Sequence, residues 1–106
     1  ELIDEPAPSS LALEATVPNP FRPGRHSQMF INYELDRSST VTRLTLFAAD
    51  GSLVRQFNLG ARSARRHSVR WDGTNDGGSL VSSGIYYAVL RADGVERRKP
   101  LAVIRD

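Results

Sequence analysis

The stretch Trp71-Asp72-Gly73-Thr74-Asn75-Asp76-Gly77-Gly78 decides the fold of this chain, because it opens a long loop between two strand patterns. Residues 72–84 hold four glycines and two aspartates but no proline. The backbone there needs several turns with positive φ, which Gly, Asn and Asp adopt at low cost. We therefore predict that Gly73 and Gly84 have structural roles in this loop.

The strand patterns on the two sides of the loop differ. Before it, His67, Val69 and Trp71 alternate with polar residues, as in a half-buried strand. After it, residues 85–92 are apolar on both faces, which predicts a central strand covered on both sides. Tyr86 and Tyr87 point to opposite faces of that strand. We expect Trp71 and one tyrosine in the core, with the hydroxyl of the other tyrosine bonded to a loop backbone.

Five further strands are predicted from alternating or apolar runs separated by turn residues. They cover residues 11–17, with Leu11, Leu13, Ala15 and Val17 on one face, and residues 28–35, 41–47, 53–59 and 96–104. Seven short strands without a 3.6-residue period predict an all-β fold, a single antiparallel β-sandwich.

The connections between these strands carry their own signals. Three prolines in residues 18–24 end the first strand, and we expect Phe21 to fold back onto the core. Asp50-Gly51 and Asp93-Gly94 are typical hairpin turns. Residues 60–64 are predicted to form a loop.

Length and composition limit the class of protein. The chain has 106 residues, 40% of them hydrophobic, which is enough for one domain with one core. Residues 1–11 contain Pro6 and Pro8 and are predicted to form a linker or flexible terminus, so that 12–106 form the sandwich. The lack of cysteine excludes disulfides and thiolate metal sites. No run approaches the roughly 20 apolar residues of a spanning helix, so we expect no membrane insertion.

Charge is unevenly distributed although the net charge is only +2. Two basic clusters stand out, Arg62, Arg65, Arg66 and Arg70 in one and Arg91, Arg97, Arg98 and Lys99 in the other. Such clusters suit nucleic acid or acidic polysaccharide, but they equally suit solvated strand faces and protected sheet edges. Because no aromatic residues interleave with these arginines, we favour the second interpretation and expect no nucleic acid partner.

Catalytic and metal chemistry find little support. His26 and His67 have no carboxylate or cysteine partner nearby in sequence, so we expect structural roles for both and no enzyme activity. Asp72, Asn75 and Asp76 supply oxygen ligands that suit Ca²⁺, although EF-hand spacing is absent. We favour the alternative, in which Asp72 and Asn75 bond their own backbone, and we expect no cofactor.

A resemblance rests on a series of motifs in order along residues 17–106. They are Pro18-Asn19-Pro20-Phe21, Tyr33-Glu34-Leu35, Leu46-Phe47 with Gly51-Ser52-Leu53-Val54, Trp71-Asp72-Gly73, Asp76, Gly78, and Ser83-Gly84-Ile85-Tyr86-Tyr87. Together they resemble the FlgD-like immunoglobulin domains, which in turn resemble the type A C-terminal sorting domains of the type IX secretion system. Ala48 departs from the acid that family members commonly carry at that position, and Asp50 follows two places later.

The resemblance implies a seven-stranded immunoglobulin-like β-sandwich at the end of a large exported protein, often a hydrolase. It implies a non-catalytic accessory domain, secreted to the bacterial cell surface, that acts as a sorting signal or surface attachment module. The implied partners are the secretion machinery, a cell-surface protein or glycan, and the parent catalytic domain. We expect these partners to contact an edge strand and the basic last hairpin, through Arg91, Arg97, Arg98 and Lys99.

Two alternatives remain from the sequence. One is a carbohydrate-binding or spacer module of a polysaccharide hydrolase, although Tyr86 and Tyr87 cannot form one flat stacking surface with Trp71 when they point to opposite faces. The other is a structural assembly domain like that of the hook-capping protein.

Overall fold

A computed structural model describes residues 11–105, apart from the side chain of Ala15, and this part contains seven β-strands and no helix. The strands are β1 (Leu11–Val17), β2 (Met29–Leu35), β3 (Ser39–Ala48), β4 (Leu53–Arg62), β5 (Arg66–Trp71), β6 (Gly84–Ala92) and β7 (Val95–Val103). The predicted linker lies outside the described residues except for Leu11, which is the first residue of β1 and is buried.

The strands form two antiparallel sheets. One has the order β1-β2-β5 and the other the order β4-β3-β6-β7. Both sheets contribute to a single hydrophobic core between them. The predicted all-β fold, an antiparallel sandwich of immunoglobulin-like type, is therefore confirmed.

The core follows from alternation along the strands. In β2, every second residue from Met29 to Leu35 is buried, and in β3 Leu44 and Leu46 are fully buried. Each large apolar side chain that is buried in this way stabilises the fold by about 1.5–3 kcal/mol. Phe21 is also fully buried, as predicted for the proline loop between β1 and β2.

Alternation fails at the end of β1. The register of β1 against β2 shifts between Leu13 and Thr16, which marks a bulge. As a result Thr16 is 5% exposed, whereas Val17, on the predicted apolar face, is 52% exposed. The prediction for Val17 was wrong because one extra residue exchanges the two faces.

Two other predictions need correction. The predicted loop at residues 60–64 is partly strand, because β4 continues to Arg62 and Gly60 pairs with Thr42 at a φ of +69°. The central strand β6 is covered on one face only, since Tyr86 is buried but Ile85 is 46% exposed. The three-stranded sheet packs against the inner face of β6, and in residues 11–105 no element packs over the outer face.

Both predicted hairpin turns are present. At Asp50-Gly51, the amide of Gly51 donates to the carbonyl of Ala48 at 2.9 Å, and the Asp50 carboxylate accepts from the amide of Ser52. At Asp93-Gly94 both residues have positive φ, +47° and +88°, as a two-residue hairpin turn of type I′ requires.

Candidate functional site

Trp71 joins the long loop to the core. Its side chain is 1% exposed, and its ring contacts Phe21 at 5.9 Å and Tyr86 edge-on at 6.2 Å between centroids. The indole Nε1 donates a hydrogen bond of 2.8 Å to the carbonyl of Thr74, three residues into the loop. The start of the loop is therefore held by the largest fully buried side chain among the described residues.

Tyr86 holds the other end of the loop. Its ring lies in the core, and its hydroxyl donates to the carbonyl of Ser82 at 2.6 Å. Burial raises the pKa of Tyr86 above its usual value. We expected these two roles to fall on different tyrosines, but Tyr86 performs both because its ring reaches past the sheet end to the loop. Tyr87 is half-buried on the outer face.

Gly73 is the loop glycine with the tightest surroundings. Its φ is +88°, and a Cβ atom there would lie 3.0 Å from the ring of Phe21 and 3.2 Å from the side chain of Leu80. Both constraints favour glycine. Gly84 is the first residue of β6 and pairs with Val103.

The oxygen atoms proposed for a Ca²⁺ site bond to the loop itself. Asp72 Oδ1 accepts from the hydroxyl of Thr74 at 2.6 Å and from its amide at 3.1 Å, and these bonds hold the pKa of Asp72 below its usual value. Asn75 Oδ1 accepts from the amides of Gly77 and Ser79 at 3.0 and 2.9 Å. This is the Asx-type arrangement that we favoured.

Arg55 is the site residue that sequence reasoning missed. Its guanidinium lies 3.5 Å from Asp72 Oδ1 and 3.7 Å from Asp76 Oδ1, and it donates to the hydroxyl of Thr74 at 2.7 Å. It also lies over the ring of Phe57, 4.9 Å from the centroid. Arg55 comes from β4, 17 residues before Asp72 in the chain, and no local spacing indicates the contact.

This arrangement weakens the Ca²⁺ hypothesis. The guanidinium is a cation placed between the two carboxylates that would have to bind the metal. Within residues 11–105 no group of three His, Asp or Glu side chains is placed to hold a metal ion. These contacts link β4 to the first part of the loop after β5 and give the loop a structural role.

The two histidines have structural contacts. His26 Nδ1 accepts from the amide of Arg22 at 3.1 Å, and its ring stacks on Phe21. His67 stacks on Tyr33 at 5.1 Å and bonds the carbonyl of Ser63 through Nε2.

The four basic residues of the last hairpin do not form one surface. Arg91 and Arg98 lie on the outer face of the sheet with Glu96, at 2.7 and 3.9 Å from its carboxylate. The hydrogen bond from Arg91 lowers the pKa of Glu96. Arg97 and Lys99 alternate with these residues, on the side of β7 that carries the buried Leu101 and Val103. The hairpin therefore divides its charge between two faces.

The edge of β7 is closed along its second half. The amide of Ala102 donates to Asn19 Oδ1 at 3.0 Å, and the amide of Phe21 donates to the carbonyl of Ala102 at 2.8 Å. The amide of Ile104 then donates to the carbonyl of Phe21 at 2.9 Å. Pro100 has no N–H to offer a further strand, so strand addition along this edge is disfavoured.

The first basic cluster is partly paired. Arg66 lies 3.6 Å from both Glu14 and Glu34, and Arg65 Nε donates to the hydroxyl of Ser63. These contacts fit a solvated strand face.

A comparison with models of protein families shows which family the chain belongs to. The model of the FlgD Ig-like domain matches residues 23–94. The chain belongs to the FlgD Ig-like domain family. A search of curated proteins finds no match.

Solved structures share the fold of this FlgD Ig-like domain. Dimeric latent PorU from Porphyromonas gingivalis matches with a TM-score of 0.72 and 19% identity over 99% of this chain and 10% of that one. PorZ from the same organism, described as an essential bacterial surface component of the type IX secretion system, matches with a TM-score of 0.61 and 21% identity over 86% and 11%. FlgD from P. aeruginosa matches with a TM-score of 0.60 and 24% identity over 71% and 61%. The domain thus spans about a tenth of PorU and of PorZ.

The departure of this FlgD Ig-like domain from the family pattern at Ala48 leaves the hairpin intact. The amide of Ala48 donates to the carbonyl of Ser52 at 2.9 Å, and Asp50 supplies the side-chain bonds of the turn. None of the elements in residues 11–105 is a helix with the length and apolar character needed to cross a membrane.

Proposed function

We propose that this domain is a non-catalytic accessory module of a larger exported protein, which directs the protein through type IX secretion, attaches it to the bacterial cell surface, or does both. The observation that carries this proposal is the match to PorZ, which is described as an essential bacterial surface component of the type IX secretion system. The fold match to PorU covers 99% of the chain. The structural contacts of His26 and His67 fit a role without catalysis.

Recognition in this proposal depends on side chains rather than on strand addition. The second half of the β7 edge is occupied by residues 19–21, and Pro100 interrupts the donors of the first half. Arg97 and Arg98 are exposed in that first half. They offer positive charge to an acidic surface of the secretion machinery or of a cell-surface protein or glycan.

A reporter fusion tests the proposal. Residues 11–106 are fused to a folded reporter and expressed with a signal peptide in a bacterium that has type IX secretion. We expect delivery of the reporter to the cell surface. Periplasmic retention of a folded fusion would refute the sorting role.

Charge reversal then locates the recognition surface. The double variant Arg97→Glu/Arg98→Glu is expected to lower surface delivery, and Arg65→Glu/Arg70→Glu is a matched control with the same change in charge at exposed positions near β5. Deletion of residues 95–106 is a poor test because it removes the buried Leu101 and Val103. Equal delivery of the two double variants would contradict a role for the β7 surface.

A structural assembly role is the second candidate, favoured by membership of the FlgD Ig-like domain family. In that case the domain would hold copies or partners together without directing export. Carbohydrate stacking by Trp71, Tyr86 and Tyr87 is not favoured, since Trp71 and Tyr86 are buried in the core.

A further inference from the structure

The outer face of the four-stranded sheet carries a group of apolar side chains, which we call the apolar strip. Its members are Phe47, Leu53, Ile85, Tyr87, Val89 and Pro100. Leu53 is 55% exposed and Ile85 is 46% exposed, while Phe47, Tyr87 and Val89 are half-buried. These exposures are high for large apolar residues on one face.

The strand register makes the apolar strip continuous. Phe47 pairs with Leu53 on one side and with Tyr87 on the other, and Tyr87 pairs with Pro100. These pairs form one row across all four strands, with residues on neighbouring strands about 5 Å apart. Val89 lies two residues further along β6, on the same face as Tyr87.

Two adjoining hollows lie on the surface of the apolar strip. One lies towards β4 and the other towards the Asp50-Gly51 turn, and Phe47, Val89 and Arg98 line both of them. A partner that fills both hollows would therefore contact the same arginine from two sides.

The outer face of the three-stranded sheet is different. There Ser68 donates to Asn32 across the strands at 2.8 Å, and Arg66 lies 3.6 Å from Glu34. Polar and paired side chains of this kind suit a face that stays in water. On that face the apolar residues Val17 and Phe30 pair at one end, so the apolar strip, with six members, is the larger apolar group.

Positive charge borders the apolar strip. Arg43, Arg91 and Arg98 lie on its face, and Glu96 is the one acid on the strands of this face among the described residues. Glu96 pairs closely with Arg91, at 2.7 Å. Arg98 is 67% exposed and 3.9 Å from Glu96, and Arg43 bonds the neutral amide of Asn58. The border therefore keeps a net positive charge.

We propose that the apolar strip is a docking surface for an acidic amphipathic segment of a partner protein. Protein interfaces commonly combine an apolar centre rich in Phe and Tyr with a polar border in which Arg is enriched. A second copy of this chain fits poorly, because face-to-face contact would place arginine borders against each other. This surface shares Arg98 with the proposed sorting role but does not depend on that role, because it is tested by peptide binding to the purified chain.

Two synthetic peptides of about 18 residues test the charge and shape of the partner, each with the same leucine stripe along a helix. One has glutamate on both sides of the stripe and the other has lysine. The ¹⁵N-labelled chain of 106 residues is titrated with each peptide by NMR. We expect the glutamate peptide to shift the amides of Phe47, Tyr87 and Val89, and the lysine peptide to bind at least about fivefold more weakly.

Variants at exposed positions complete the test. Arg98→Glu and Leu53→Gln are each expected to weaken binding of the glutamate peptide at least about fivefold. Arg70→Glu, on the other sheet, is the control and is expected to leave binding unchanged. The dispersed NMR spectrum of each variant verifies that it is folded.

Several outcomes would overturn the proposal. These are no shift at millimolar glutamate peptide, equal binding of the two peptides, or shifts confined to the three-stranded sheet. Polygalacturonate serves as a third probe. If this anionic glycan shifts the apolar strip and the glutamate peptide does not, the surface binds glycan and the proposed partner is wrong.

Discussion

At the scale of single residues, the loop depends on side chains that enter the core from the two sheets. Gly73 lies against Phe21 and Leu80, two residues after Trp71 in the chain, and it has no room for a side chain. Gly78 has the same φ of +88° but open space around its Cα. Alanine substitutions at the two glycines therefore separate the free-energy cost of the positive φ from the free-energy cost of crowding.

We predict that Gly73→Ala destabilises the domain more than Gly78→Ala does. Positive φ costs an alanine about 1–2 kcal/mol at either position. Crowding against Phe21 adds about 1–3 kcal/mol at Gly73 only. Urea unfolding followed by Trp71 fluorescence measures the difference, and equal losses of free energy would contradict the crowding argument.

The turn residue Asp93 is expected to make the stability of the domain depend on pH. Its carboxylate accepts from the amides of Val41 and Thr40, and these bonds lower its pKa in the folded state. A lowered pKa stabilises the fold above the unfolded pKa of about 3.9, and this stabilisation is lost as the pH falls through the folded pKa. Asp93→Asn should therefore have a lower Tm than the wild type at pH 7.

The Tm difference between Asp93→Asn and the wild type should shrink as the pH falls below about 3.9, where the wild-type carboxylate becomes protonated. Asparagine tolerates the φ of +47° at this position, so we expect the substitution to leave the backbone of the turn unchanged. A Tm difference that stays the same from pH 7 to pH 2 would show that the carboxylate charge is not its cause.

At the scale of elements, periodicity predicted every strand but not the departures from regular pairing. The alternation in β2 is uninterrupted, and every second residue from Met29 to Leu35 is buried, as expected for a regular strand. In β1 the bulge before Thr16 reverses the alternation, and bulges depend on the partner strand rather than on local sequence. In β4, Gly60 suggested a loop, although its positive φ lies within the ladder with β3.

At the candidate site, the sequence likewise predicts only part of the loop between β5 and β6. Its local bonds, such as Asp72 to Thr74, follow from spacing within the loop. The contact of Arg55 with Asp72 and Asp76 depends on how β4 packs beside the loop, which no single stretch encodes. The same is true of the basic hairpin, where the pairing of Arg91 with Glu96 depends on strand register.

We predict that this loop is fastened by Arg55 rather than by Ca²⁺. Titration of Ca²⁺ to millimolar concentration is expected to leave the Tm unchanged. Arg55→Gln is expected to reduce the free energy of unfolding by about 1–2 kcal/mol, because it loses a charged hydrogen bond and the contact with Phe57.

Arg70→Gln is the matched control, because Arg70 is exposed on the face of β5 opposite to the buried Trp71, and it should change stability by less than about 0.5 kcal/mol. A rise in Tm with Ca²⁺ would contradict the prediction and restore Asp72, Asn75 and Asp76 as metal ligands.

At the scale of the whole molecule, one core connects the two sheets. Residues from both sheets and Phe21 from the proline loop belong to the same buried cluster. Separate unfolding of one sheet would expose the inner face of the other. The domain should therefore behave as one cooperative unit.

We predict coincident unfolding transitions by two probes. Trp71 is the only tryptophan and reports the core, whereas far-UV circular dichroism reports both sheets. The two midpoints in urea are expected to agree within error. Separate midpoints would indicate that the sheets lose their structure in steps.

The clamp between residues 19–21 and the end of β7 has a mechanical consequence. Phe21 and Val103 form a parallel bridge, so the chain leaves the clamp towards its two ends in opposite directions. Tension applied between the ends loads the bonds of Phe21 with Ala102 and Ile104 together, in shear, instead of opening them one after another. A domain that joins a cargo to an anchored structure would gain resistance to pulling from this arrangement.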